Sequence, residues 1–201
     1  VDDRETPTAR DRPDPTLRVV LVEPLGFSGI CHYTAGLARA VADHCDVSVV
    51  TSTRYELEGR WSHPNAQVVR CLGGMERDRS RLWRFFDYSR SLARAVRVVE
   101  ELRPDVVHFQ DTFIPFLELR FYRALRKRGF PLLYTSHDVI RDEVRTGKQG
   151  IRRRLNRGLA RRLYGLTDLM FVHSDEARAE LQALGYRGSI ETTRQGAFGF
   201  K

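Results

Sequence analysis

Short apolar runs recurring at intervals a helix can bridge constrain this chain more than any other feature. They are Val19–Val22, Val47–Val50, Val68–Val69, Val106–Phe109, Leu132–Tyr134 and Leu169–Val172. Each ends in small, polar or ionisable residues, and most lead into a stretch with apolar residues at helical spacing. Strand, crossover helix, strand is the pattern of a parallel α/β sheet. The expectation is a doubly wound, mainly parallel sheet of about seven strands with helices on both faces, the last strand at Ser189–Thr193. Such sheets bind ligands beyond the carboxyl ends of their strands. The candidates for chemistry are therefore Gly26–Gly29, Gln110–Thr112, Ser136–Asp138 and His173–Ser174.

Helices are expected from about Ile30 to His44, from Leu82 to just before Pro104, over Phe116–Arg128, from Ile151 to Leu163, and from Ser174, a good N-cap, to Gly185. Trp83, Phe85, Phe86 and Tyr88 crowd the start of the second of these. They read as core, with an apolar lip over a cleft or a membrane surface as the alternative. Ser52–Gln67 and the stretch from Ser136 to Gly150 read as polar loops. Residues 1–17, charged and rich in proline, read as a disordered lead-in rather than a targeting segment.

Composition narrows the class. No apolar run reaches the roughly 18 residues a membrane span requires. Cys31, Cys45 and Cys71 are odd in number and widely spaced, which disfavours a disulfide framework or zinc site and fits a reducing cytoplasm. The net charge is +8, and only three of the 34 basic residues are lysines. From Arg141 to Arg162 nine basic residues face two acids, Asp142 and Glu143. The basic helix at 151–162 carries much of this block and suggests an anionic membrane surface as a partner, against the plainer reading of a solvated helix face. With no helix-turn-helix, zinc finger or aromatic single-strand platform, nucleic acid is not expected.

The first glycine turn lacks G-x-G-x-x-G, and the second strand ends Val50-Thr51-Ser52 with no acid, so a nicotinamide or flavin enzyme is disfavoured. Neither a phosphate-binding G-x-x-x-x-G-K-[ST] loop nor a G-x-S-x-G elbow occurs. Gly29 opens a helix whose free N–H groups would suit an anionic or hydroxyl-rich ligand, or it is a turn glycine required by its backbone angles.

Five stretches together resemble the N-terminal domain of the family 4 glycosyltransferases of GT-B fold. They are Arg18–Ala40 with Ser28-Gly29, Asp46–Thr51, Pro104–His108, Thr135–Asp138, and Val172–Ser174 with Glu180-Leu181 and Gly185. The resemblance covers roughly 18–196, where the chain has Ser28-Gly29 in place of a frequent Gly-Gly and Gln110 in place of a frequent histidine. It implies two Rossmann-like domains facing across a cleft, the first holding mainly the acceptor and the second the nucleotide-sugar donor. Residues 18–196 would be the first domain, and Arg194–Ala197 resembles the entry to the interdomain linker, so 197–201 would open that linker and the donor domain would be absent. The implied activity is retaining transfer of a sugar from a nucleotide sugar to a hydroxyl acceptor, with the donor as co-substrate and no cofactor or metal. The implied location is cytoplasmic, extending to the inner membrane face. A non-catalytic sugar- or anion-binding module is the alternative.

His137 follows the fifth strand on a loop, flanked by Ser136 and Asp138, which could orient its ring. The resemblance places a histidine here near the transferred sugar. Asp111 ends the fourth strand, where a carboxylate could take the proton of an acceptor hydroxyl or brace the following helix. Ser28, Gly29, His32, Gln110, Asp138, His173 and Gly196 are the remaining substrate-binding candidates, while His108, inside a strand, reads as packed core. No His, Cys or carboxylate cluster has metal-ligand spacing.

Overall fold

A computed structural model describes residues 17–74, 78–137 and 151–193, without the side chains of 151–156. Seven strands form one sheet: β1 (Arg18–Glu23), β2 (Asp46–Ser52), β3 (Ala66–Leu72), β4 (Val106–Phe109), β5 (Leu132–Ser136), β6 (Leu169–Val172) and β7 (Ser189–Thr192). Their order is β3-β2-β1-β4-β5-β6-β7, and every neighbouring pair is parallel. The chain winds outward from β1 to β3, then returns to place β4 on the other side of β1, with Val20 between Ser48 and Val107. This reversal opens a crevice between the carboxyl ends of β1 and β4. The fold is the expected Rossmann-like α/β architecture.

Strand alternation sorts residues between the two faces. Val20, Val22, Val107, Phe109, Leu132, Tyr134, Met170 and Val172 join one core with α2 (Arg81–Leu102), α3 (Pro115–Lys127), α4 (Ile151–Tyr164) and α5 (Asp175–Ala183). Val19, Leu21, Val47 and Val49 pack on the opposite face against Ala38 and Ala42 of α1 (Ser28–Ala42). The β2–β3 connection is less of a loop than its polarity suggests. Tyr55 and Leu57 pack on Cys31 and Ala35 of α1, and the Trp61 indole donates to the Tyr55 hydroxyl at 2.7 Å. All three cysteines are buried and free.

Helix ends follow local chemistry. Ser174 caps α5 by accepting from the Ala177 N–H at 3.1 Å, and Ser80 caps α2 by accepting from the Trp83 N–H at 3.1 Å. α2 stops at Arg103, whose φ is +47°, immediately before Pro104. The aromatic start of α2 departs from the core reading. Only Tyr88 is buried, whereas Leu82 is 72% exposed, Phe86 62%, Trp83 41% and Phe85 37%. The inward stripe begins one turn later, at Tyr88, Leu92, Ala95 and Val99. The lead-in at 1–16, most of the stretch read as a loop before Gly150, and 194–201 lie outside the described residues.

Candidate functional site

Two residues beyond each inward-facing strand position, the side chain returns to the same face at the sheet's carboxyl edge. His108, Thr135 and Phe171 lie on the α1 side, so Gln110, His137 and His173 emerge beside the first turns of α1. There Tyr33 meets both histidines edge-on, with ring centroids 4.7 Å from His137 and 5.6 Å from His173. The two imidazoles are 5.1 Å apart. His173 Nδ1 lies 3.2 Å from the Thr193 carbonyl oxygen, which can only accept, so the ring carries its proton on Nδ1. Its Nε2 is buried and without a hydrogen-bond partner among the described residues. Beneath them the His108 Nε2 sits 2.8 Å from the Thr135 hydroxyl. Burial, with a smaller contribution from neighbouring His137, drives His108 down to about 3, so it is neutral at physiological pH.

The crevice between β1 and β4 is lined by buried acids. Glu23 ends β1 and is 1% exposed. Its carboxylate accepts from the N–H groups of Leu25 at 2.9 Å and Gly26 at 2.7 Å, and from the Thr51 hydroxyl at 2.9 Å. Burial nevertheless pushes it up to about 7, because desolvation outweighs these donors and the Asp111 charge adds to it. Glu118 of α3 accepts from Tyr88 Oη at 2.6 Å and from the N–H groups of Phe113 and Ile114, and burial also raises it to about 7. Asp111 lies between these two acids electrostatically and is 8% exposed. Gln110 is fully buried, and neither atom of its amide has a hydrogen-bond partner among the described residues. An amide left bare in a native interior marks a place for a water or a polar ligand group.

At the α1 N-terminus, Ser28 takes φ +82° and donates its N–H to Glu56 Oε1 at 2.9 Å. The same oxygen lies 3.1 Å from His32 Nε2. The helix end expected to attract an anion thus already holds a carboxylate from the β2–β3 connection. The glycine that the turn requires is Gly26, with φ +75° and an added Cβ only 2.6 Å from Ser52 Cβ. Gly29 faces open space, where an added Cβ would meet nothing within 4 Å.

The structure therefore gathers Gln110, Asp111, His137 and His173 along the strand ends, with Ser28, Gly29 and His32 at the neighbouring helix start. Asp138 and Gly196 lie outside the described residues. Tyr33 of α1 belongs to the group as well. Glu23 and Glu118 were missed. Each had a signal, since Glu23 closes the apolar run Val19–Val22 and Glu118 sits among Leu117, Phe121 and Tyr122 on the buried stripe of its helix. Among the described residues no group of three or more His, Cys, Asp or Glu is arranged to hold a metal ion.

A family model described as the glycosyl transferase 4-like domain matches residues 28–193. The chain belongs to this family. No curated protein matches the sequence significantly. Solved structures similar to this glycosyl transferase 4-like domain include sucrose-phosphate synthase from Thermosynechococcus elongatus, at TM-score 0.70 and 16% identity over 90% of this chain and 48% of that one. Anabaena HepE in complex with UDP and glucose aligns at TM-score 0.61 and 15% identity, over 90% of this chain and 45% of that one. A UDP-N-acetylglucosamine 2-epimerase aligns at TM-score 0.58 and 17% identity, over 89% and 48%. At these identities the likeness is one of fold. The chain spans about half the length of each of these structures.

Proposed function

We propose that this glycosyl transferase 4-like domain is the acceptor-binding half of a retaining glycosyltransferase, which moves a sugar from a nucleotide-sugar donor to a hydroxyl acceptor. One observation carries the reading: Tyr33, His137 and His173 converge at the strand ends beside the buried, bare amide of Gln110. A sugar is recognised by hydrogen-bonding groups set against ring faces or edges, and both are present. His137 donates to the transferred sugar and supports charge developing at the anomeric carbon. Asp111 takes the acceptor hydroxyl proton. A second α/β domain supplies most of the donor pocket, in keeping with a chain about half the length of its structural neighbours. No divalent ion takes part. The reaction is cytoplasmic, at the inner membrane face when the acceptor is lipid-linked.

The alternative is a non-catalytic sugar- or anion-binding module; its anion-binding form draws less support, because Glu56 occupies the helix end such an anion would use. Transfer of radiolabelled sugar from a nucleotide sugar tests the proposal, measured for the 201-residue chain and for a longer polypeptide carrying a second α/β domain. Turnover is expected only in the longer form. Efficient turnover by the 201 residues alone refutes the half-enzyme reading, and none by either form refutes the transferase reading.

A further inference from the structure

Seven large apolar side chains are conspicuously exposed among the described residues, and five of them gather at two helix starts: Leu82, Trp83, Phe85 and Phe86 on α2, and Phe116 on α3. The two helices are neighbours there. Tyr88 stacks edge-on against Phe113 at 5.5 Å and donates to Glu118, bringing the first turns of α2 and α3 side by side. At about 100° per residue, Trp83 and Phe86 lie roughly 150° around α2 from the inward stripe of Tyr88, Leu92, Ala95 and Val99. They therefore point away from the sheet face that α2 covers.

Further along the same helix the outer face is polar, with Arg90, Arg94 and Arg97 exposed. Exposure of aromatics in the first turns alone is a local departure from the amphipathic pattern. The cations there are placed with the rings. The Arg79 guanidinium lies 5.1 Å from the Trp83 ring centroid, and that of Arg120 lies 5.5 Å from Phe116. Arg81 is exposed beside them, and among the described residues Asp78 and Asp87 are the acids of the segment.

We propose that the first turns of α2, with the start of α3, form a docking surface for an anionic lipid bilayer. Aromatic rings with cations over their faces match the boundary between acyl chains and headgroups, where the ring enters the apolar layer and the guanidinium meets phosphate. A second copy of the chain fits less well, because a two-fold contact through this patch would set arginines against arginines. Helix α4, whose basic sequence first suggested a membrane, provides charge without an anchor. Arg157, Arg161 and Arg162 are exposed, whereas Leu163 and Tyr164 are buried in the core. The surface is independent of the sugar-transfer reading, since a domain with no transferase activity would dock in the same way.

Trp83 is its own reporter, because Trp61 is the only other tryptophan. In a Trp61→Phe background, phosphatidylglycerol–phosphatidylcholine vesicles should shift Trp83 emission to the blue and shield it from acrylamide, while pure phosphatidylcholine should do neither. If Trp61→Phe disturbs the circular dichroism spectrum, the difference in emission between the parent chain and Trp83→Leu supplies the same readout. Co-sedimentation with the anionic vesicles should weaken with added salt. The Leu82→Ser/Phe86→Ser variant should lower the partition coefficient at least about tenfold. Arg157→Glu/Arg161→Glu on α4 should lower it by less than about threefold, because those charges lie away from the contact. Sedimentation without a change at Trp83, or its loss on α4 reversal with Leu82→Ser/Phe86→Ser silent, overturns the proposal. So does absence of binding at low salt. A dimer in sedimentation velocity that Leu82→Ser/Phe86→Ser dissolves gives the surface to a second copy and equally overturns it.

Discussion

Replacing Glu23 by glutamine tests the reasoning about the crevice quantitatively. The side chain is 1% exposed, and burial raises it from the ordinary 4.5 to about 7 against the pull of three hydrogen bonds. A carboxyl whose affinity for its proton is higher in the folded state stabilises the fold fully below pH 4.5. That contribution is lost as pH rises through about 7. The distance between the two values corresponds to about 3 kcal/mol. Glutamine keeps the shape and does not titrate. It also sets an amide NH2 among the Leu25, Gly26 and Thr51 donors, so the variant should be the less stable protein at pH 4.5. Between pH 4.5 and 8 the difference should move by about 3 kcal/mol in favour of glutamine, or roughly 6–12 °C in melting temperature for a chain of this size. Urea denaturation of both proteins across that range is the assay. A constant difference in unfolding free energy would mean that Glu23 is ionised throughout, and that its three donors outweigh desolvation.

Other outcomes follow from the same geometry. His108 should stay neutral from pH 5 to 8 in a histidine-resolved NMR titration, and its burial should cost stability as pH falls below 6.5 towards 3; a midpoint near 6.5 would contradict the buried placement. Ser28→Gly should raise the melting temperature by about 1–2 °C, since serine at φ +82° costs about 1 kcal/mol and glycine's greater chain entropy offsets part of that; a fall would show that Ser28 makes a contact worth more than its strain. In an active two-domain form, His137→Ala should lower kcat about 10²-fold or more while melting unchanged, and equal kcat would return His137 to a bracing role.

Much of the fold was legible because parallel strands buried on both faces print themselves as apolar runs. Val19–Val22 and Val106–Phe109 fell inside the observed β1 and matched β4 for this reason. The site was legible by position, since a parallel sheet delivers whatever follows each strand to one edge. Its chemistry was less so. That Tyr33 turns towards His137 instead of the α1 core depends on the rotation of a helix across the sheet, which spacing within α1 does not encode. Glu56 on the α1 N-terminus joins segments 28 residues apart, with nothing local announcing the contact. The first turns of α2 misled because apolar periodicity marks a face without saying whether anything covers it.

The return of β4 to the flank of β1 has a consequence in time. The Arg18 N–H is held by the Asp105 carboxylate 87 residues away, where the two central strands begin to pair. At about 5–20 residues per second, synthesis of that interval takes roughly 4–17 s. Throughout it β1 can pair only with β2, and its other edge is unpaired backbone on one of the most apolar strands of the chain. A nascent chain halted before β4 would carry that edge to its neighbours. The most hazardous moment in the life of this domain therefore falls before its site exists, and the length of chain between β1 and β4 sets how long it lasts.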